Sequence, residues 1–75
     1  EPEFNLFPNP SNGNFTVGIE GEFAIEMYAL DGKLVYANSQ QITPQISLSG
    51  TIPTGTYFVV ITQQNKVYNH KLVVR

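Results

Sequence analysis

The 75 residues contain no cysteine, no tryptophan, one methionine and one histidine. Without cysteine there is no disulfide framework, the usual staple of so small a fold, and no thiolate for zinc; cysteine usage is silent about compartment. Charge is scarce too: charged residues make up 13% of the chain and the formal net charge is -2. Lys33, Lys66, Lys71 and Arg75 are scattered and form no basic stripe that could neutralise a row of phosphates, which argues against a nucleic-acid partner. Long apolar runs are missing. The longest, such as residues 57–61, fall far short of the ~20 that cross a bilayer as a helix, so no membrane-spanning segment is read. Residues 1–4 lack a basic region followed by an apolar one; no signal peptide is read, and an exported precursor is expected to carry its export signal upstream.

What the chain does have is 41% hydrophobic and 12% aromatic content, enough for one globular domain. A chain this short builds a single modest core, and modest stability follows. The apolar residues recur with a period of two. Residues 14–19 place Phe15, Val17 and Ile19 on one side, residues 22–27 place Phe23, Ile25 and Met27 inward, and Ile46 and Leu48 share one face of a strand over 45–49. Asp31-Gly32 between two such runs predicts a hairpin with a type I′ turn, pairing residues 33–37 back on 23–30 with Leu34 and Tyr36 on one face and Val35 on the other. Residues 38–43 are polar and read as a loop. The continuous apolarity of residues 56–62 predicts a central strand buried on both sides. After a turn at Gln64-Asn65, residues 67–74 put Tyr68, Leu72 and Val74 on one face, with Val67 and Val73 on the other. Residues 1–3, charged and broken by Pro2, read as the end of a linker, leaving 4–75 as the domain. About seven short strands separated by turns, with no helical stripe, predict an all-β antiparallel sandwich.

Three groups of residues occur together in one known family. They are Leu6-Phe7-Pro8-Asn9-Pro10 with Gly13 after it; the hairpin 27–35 around Gly32; and Ile52-Pro53-Thr54-Gly55-Thr56-Tyr57 with Lys71-Leu72-Val73-Val74 near the end. In order, spacing and position the set resembles the type A C-terminal sorting domain of cargo exported by the bacterial type IX secretion system. Ala29 stands where that family often has an acidic residue. The resemblance implies a roughly seven-stranded immunoglobulin-like sandwich at the end of a larger exported protein. It further implies partners in the outer-membrane translocon, shuttle and sortase proteins, a cargo domain fused upstream, a secreted or surface location on a Gram-negative bacterium, and no cofactor. Its motif residues here are Pro8, Asn9, Pro10, Gly13, Gly32, Pro53, Gly55, Tyr57, Lys71, Leu72, Val73, Val74 and Arg75. The prolines fix φ, Gly32 and Gly55 open backbone conformations closed to residues with a Cβ, and Tyr57 is expected in the core.

No residue pattern points to an enzyme. His70 is the sole histidine and Asp31 the sole aspartate, whereas a metal site needs several convergent ligands and a nucleophile needs an adjacent base. Glu20, Glu22 and Glu26 are close in sequence, but Glu22 and Glu26 share the solvent face of one strand, which suits a solvated edge better than a glycosidase pair. Asn14-Phe15-Thr16 matches a glycosylation sequon, a match common by chance. Tyr28, Tyr36, Tyr57 and Tyr68 could stack on sugar rings in a carbohydrate-binding or other immunoglobulin-like accessory module, the alternative to a sorting domain; their alternating positions favour packing. Leu72 and Val74 are expected inside, Lys71 and Arg75 in water.

Overall fold

A strand with one apolar face buries it by stacking against a second sheet, and the period-two pattern leads to that arrangement. The computed structural model describes residues 5–75, in which there are seven strands and no helix. They are β1 (Leu6–Phe7), β2 (Asn14–Val17), β3 (Phe23–Ala29), β4 (Leu34–Gln41), β5 (Gln45–Ser47), β6 (Gly55–Gln63) and β7 (Lys66–Val74). One sheet has the order β1-β2-β5 and the other β4-β3-β6-β7, with every adjacent pair antiparallel. This is an immunoglobulin-type sandwich in which the fourth strand stays beside the third instead of crossing to the opposite sheet. The linker reading of residues 1–3 and the start of the domain at residue 4 lie outside the described residues.

Between the sheets lies one core. The three-stranded side supplies Leu6, Phe15, Val17, Ile46 and Leu48, and the four-stranded side supplies Phe23, Ile25, Met27, Val59, Ile61 and Leu72 together with Tyr57 and Val74. Met27, Val59, Ile61 and Leu72 are wholly shielded from water. The inward positions on β2, β3, β5 and β7 are the ones that alternation picks out.

Four expectations need correction. Of residues 38–43 only the last two lie in a loop: β4 runs on to Gln41, its polar composition suiting an edge strand that pairs on one side only. Gln41 is itself buried; its Oε1 accepts from Asn38 Nδ2 at 2.9 Å, and its Nε2 donates to the Thr43 carbonyl at 2.9 Å. Strand β6 is central but buried on one face only, since a two-sheet sandwich leaves its outer faces in solvent; Phe58 is 45% exposed between buried Tyr57 and Val59. The β3–β4 connection is not a type I′ turn. Gly32 has φ 89° but Asp31 has negative φ, the Gly32 N–H donates to the Ala29 carbonyl and the Ala29 N–H to that of Lys33, which closes a three-residue loop on a left-handed glycine. Finally, Leu34 and Tyr36 do not share a face. Met27 pairs with Tyr36 and Tyr28 with Leu34, so Val35 is an extra residue on β4 and the bulge turns Leu34 outward.

Candidate functional site

The motif residues from the two ends of the chain meet at one place, the free edge of β7. Strand β7 is the last in its sheet, so one row of its backbone groups has no neighbouring strand. Residues 8–11 run along the upper half of that row. The Asn9 side-chain amide acts as a detached peptide group: its Nδ2 donates to the Lys71 carbonyl at 2.8 Å and its Oδ1 accepts from the Val73 N–H at 3.0 Å. Ser11 continues the line through its backbone, its N–H donating to the Val73 carbonyl and its carbonyl accepting from the Arg75 N–H, each at 2.8 Å, in a short parallel bridge. Proline suits the flanks of this cap because it has no N–H to leave unsatisfied there. Both the Phe7-Pro8 and the Asn9-Pro10 peptide bonds are cis.

Gly13 ends the cap. It has φ 105°, and a Cβ at that position would lie 2.8 Å from the Ser49 Cα, so the close approach of two backbones admits no side chain. The Gly13 carbonyl accepts from the Leu48 N–H at 2.9 Å, and its N–H donates to the Ser11 hydroxyl at 3.1 Å. Ser11 is buried. Neither it nor the donor-and-acceptor role of Asn9 is visible to pattern reading, because Asn between two prolines reads simply as turn chemistry.

On β7 itself the strand period separates two jobs. Leu72 and Val74 face the core and are buried, Val73 is half-buried on the outer face, and Lys71 and Arg75 are exposed. Pro53 and Gly55 belong to the connection into β6 and its first residue. Tyr57, buried near the start of β6, donates its hydroxyl hydrogen to the Pro53 carbonyl at 2.6 Å. That bond is the tyrosine corner of immunoglobulin-type sandwiches, and it ties the Pro-x-Gly-x-Tyr spacing to the turn that the hydroxyl closes. Gly32 lies at the β3–β4 turn, away from the β7 cap, with nothing within 4 Å of a built Cβ.

The remaining candidates do not converge. Among the described residues no three of His, Asp, Glu or Cys lie together as a metal ion would require. Tyr57 is part of the core and Tyr36 and Tyr68 pack against it at separate places, opposite Met27 and Ile61, while Tyr28 pairs with Phe58 across the outer face, so the four tyrosines form no single stacking platform. Tyr28 donates to Glu26 at 2.8 Å, and that hydrogen bond to a carboxylate, with lesser contributions from desolvation and from the nearby negative charge, raises the phenol above its ordinary pKa. Two concavities sit at the far end of the four-stranded sheet, one lined by Glu20, Glu22, Phe23, Ser39 and Gln63, the other by Ala24, Glu26 and Asn38; neither includes a motif residue.

The sequence has a counterpart among known families and the sandwich one among solved structures. A family model described as a secretion system C-terminal sorting domain matches residues 5–75, and the chain belongs to that family. The domain is a C-terminal sorting signal of the type IX secretion system. Cargo bearing such a signal is secreted or held at the cell surface. A solved structure of PorZ, described as an essential bacterial surface component of the type-IX secretion system of Porphyromonas gingivalis, matches with a TM-score of 0.74 at 16% identity. The match covers 96% of this chain and 11% of that one, and at such low identity the likeness shows the fold. No curated protein matches the chain.

Proposed function

We propose that the domain delivers a cargo fused upstream of it to the type IX outer-membrane translocon, and that shuttle and sortase proteins then complete its attachment to, or release from, the surface of a Gram-negative bacterium. The domain acts by being bound and performs no chemistry of its own. Supporting this reading is the division of labour along β7, where Leu72 and Val74 hold the core while Lys71 and Arg75 stand in solvent. The exposed cations are the part a receptor can touch without unfolding anything. Among the described residues no helix is long and apolar enough to cross a membrane.

A reporter fused upstream of the domain, in a host with a type IX system, tests the reading. Lys71→Ala combined with Arg75→Ala changes exposed side chains and is expected to alter stability by no more than about 0.5 kcal/mol. Leu72→Asp puts an unpaired carboxylate into a wholly buried position and costs several kcal/mol. The folded double variant is expected to accumulate in the periplasm. Export at the wild-type rate with both charges gone would move recognition away from this end of β7.

A further inference from the structure

We propose that the opening and closing motifs form one composite recognition surface, in which Asn9 is a positioning residue that holds the backbone of residues 71–75 extended for a partner surface bearing carboxylates. This rests on the reading that the exposed end of β7 is recognised, and it adds what presents that end. Asn9 lies 62 residues from Lys71 in sequence, yet its amide bonds both the Lys71 carbonyl and the Val73 N–H. Ser11 takes the next carbonyl and N–H along the same edge. The end of a sheet's outermost strand frays unless something occupies its outward groups. Here the occupant is the cap, so Lys71 on β7 and Arg75 just past its end are held in line, four residues and ~13 Å apart on the same face. Their side chains make none of the cap bonds, which use backbone atoms of residues 71, 73 and 75.

Charge supports a carboxylate-bearing partner. All six acidic residues of the chain lie at positions 1, 3, 20, 22, 26 and 31. The cap, residues 8–13, has none, and neither does β7, which carries Lys66 and Lys71 with Arg75 just after it. Among the described residues, the cap and β7 with Arg75 after it therefore carry cationic side chains and no acidic one, in a chain of net charge -2.

Asn9→Ala removes both side-chain bonds and leaves those of Ser11; Asn9→Asp keeps an acceptor for Val73 but loses the donor to Lys71. Amide hydrogen exchange at Val73 is expected to speed up by about tenfold or more in Asn9→Ala, with exchange in β3 unchanged. Export of the fused reporter is expected to fall as far in Asn9→Ala as in the Lys71→Ala, Arg75→Ala double variant, with Asn9→Asp between it and wild type. Ile25→Val, a mild core change remote from the edge, serves as the stability control and is expected to export normally. Wild-type export from Asn9→Ala, with Val73 protection lost, would overturn the proposal while leaving recognition of the charged end intact. Equal losses in Asn9→Ala and Ile25→Val at matched melting temperatures would overturn it as well, by reducing Asn9 to general stability. Normal export from the double charge variant would instead defeat the underlying reading. For the partner's chemistry, Lys71→Glu is expected to depress export below Lys71→Ala, and equal export from the two would refute the carboxylate assignment.

Discussion

Replacing Gly13 by alanine separates two costs that glycine avoids. Gly13 and Gly32 both have positive φ, 105° and 89°, so an L-residue at either one carries a backbone penalty of about 1–2 kcal/mol. Part of that is offset by the lower entropy of an unfolded chain with alanine in place of glycine, about 0.5–1 kcal/mol. At Gly32 nothing more is added, because a Cβ there meets no atom within 4 Å. At Gly13 the Cβ falls 2.8 Å from the Ser49 Cα and 3.0 Å from its N, both backbone atoms that cannot swing aside. Shifting that backbone adds roughly 1–3 kcal/mol, as overpacking does elsewhere, and weakens the Leu48-to-Gly13 bond, worth about 1 kcal/mol. The expected losses are about 3 kcal/mol or more for Gly13→Ala and about 1 kcal/mol for Gly32→Ala, against a total of roughly 5 kcal/mol. In thermal unfolding followed by far-ultraviolet circular dichroism, Gly32→Ala should lower the midpoint by about 4–8 °C and Gly13→Ala by at least twice that. Equal midpoints would mean that the β2–β5 backbones have room at Gly13 and would refute the close-approach argument.

Tyr57→Phe should cost about 1–2 kcal/mol in urea unfolding, since the Pro53 carbonyl loses a short bond from a buried hydroxyl; an unchanged midpoint would remove the corner as a stabilising device. Tyr28 is expected to ionise above the ordinary tyrosine range, and Glu26→Gln to bring it down, as read from phenolate absorbance. The sign is that of a raised group: the contact stabilises the fold while the pH is below the unfolded phenol's pKa and ceases to do so as the pH rises through the folded one. Coincident titrations of wild type and Glu26→Gln would refute the pairing. Equilibrium dialysis of the isolated domain against zinc or calcium should find no stoichiometric tight binding.

How far the sequence predicted this fold follows from what each signal depends on. The inward sets Phe23, Ile25, Met27 and Ile46, Leu48 were legible because burial on one face imposes alternation directly. Residues 38–41 read as loop because an edge strand takes polar residues on both faces, and composition alone does not separate the two. Residues 56–62 misled in the opposite direction: Phe58 and Val60 make the run look doubly buried, although the outer face of the sheet is open. The displaced face of Leu34 depends on one extra residue, Val35, whose bulge is settled by pairing with β3 and leaves no mark in the local pattern. As for the site, the motif resemblance picked out Asn9, Gly13, Tyr57 and Lys71 one by one. That Asn9 bonds Lys71 and Val73 was hidden, since nothing local links positions 62 and 64 residues apart.

Those same contacts bear on when the domain can exist at all. Strand β7 supplies Leu72 and Val74 to the core, and the cap closes only when residue 9 meets residues 71 and 73. Contacts that span most of a 75-residue chain raise the contact order, and folds of that kind form slowly. A chain interrupted before Lys71 would lack the second half of β7 and the residues that the cap bonds, however complete the protein ahead of it. The arrangement thus makes the β7 edge depend on both ends of the domain together.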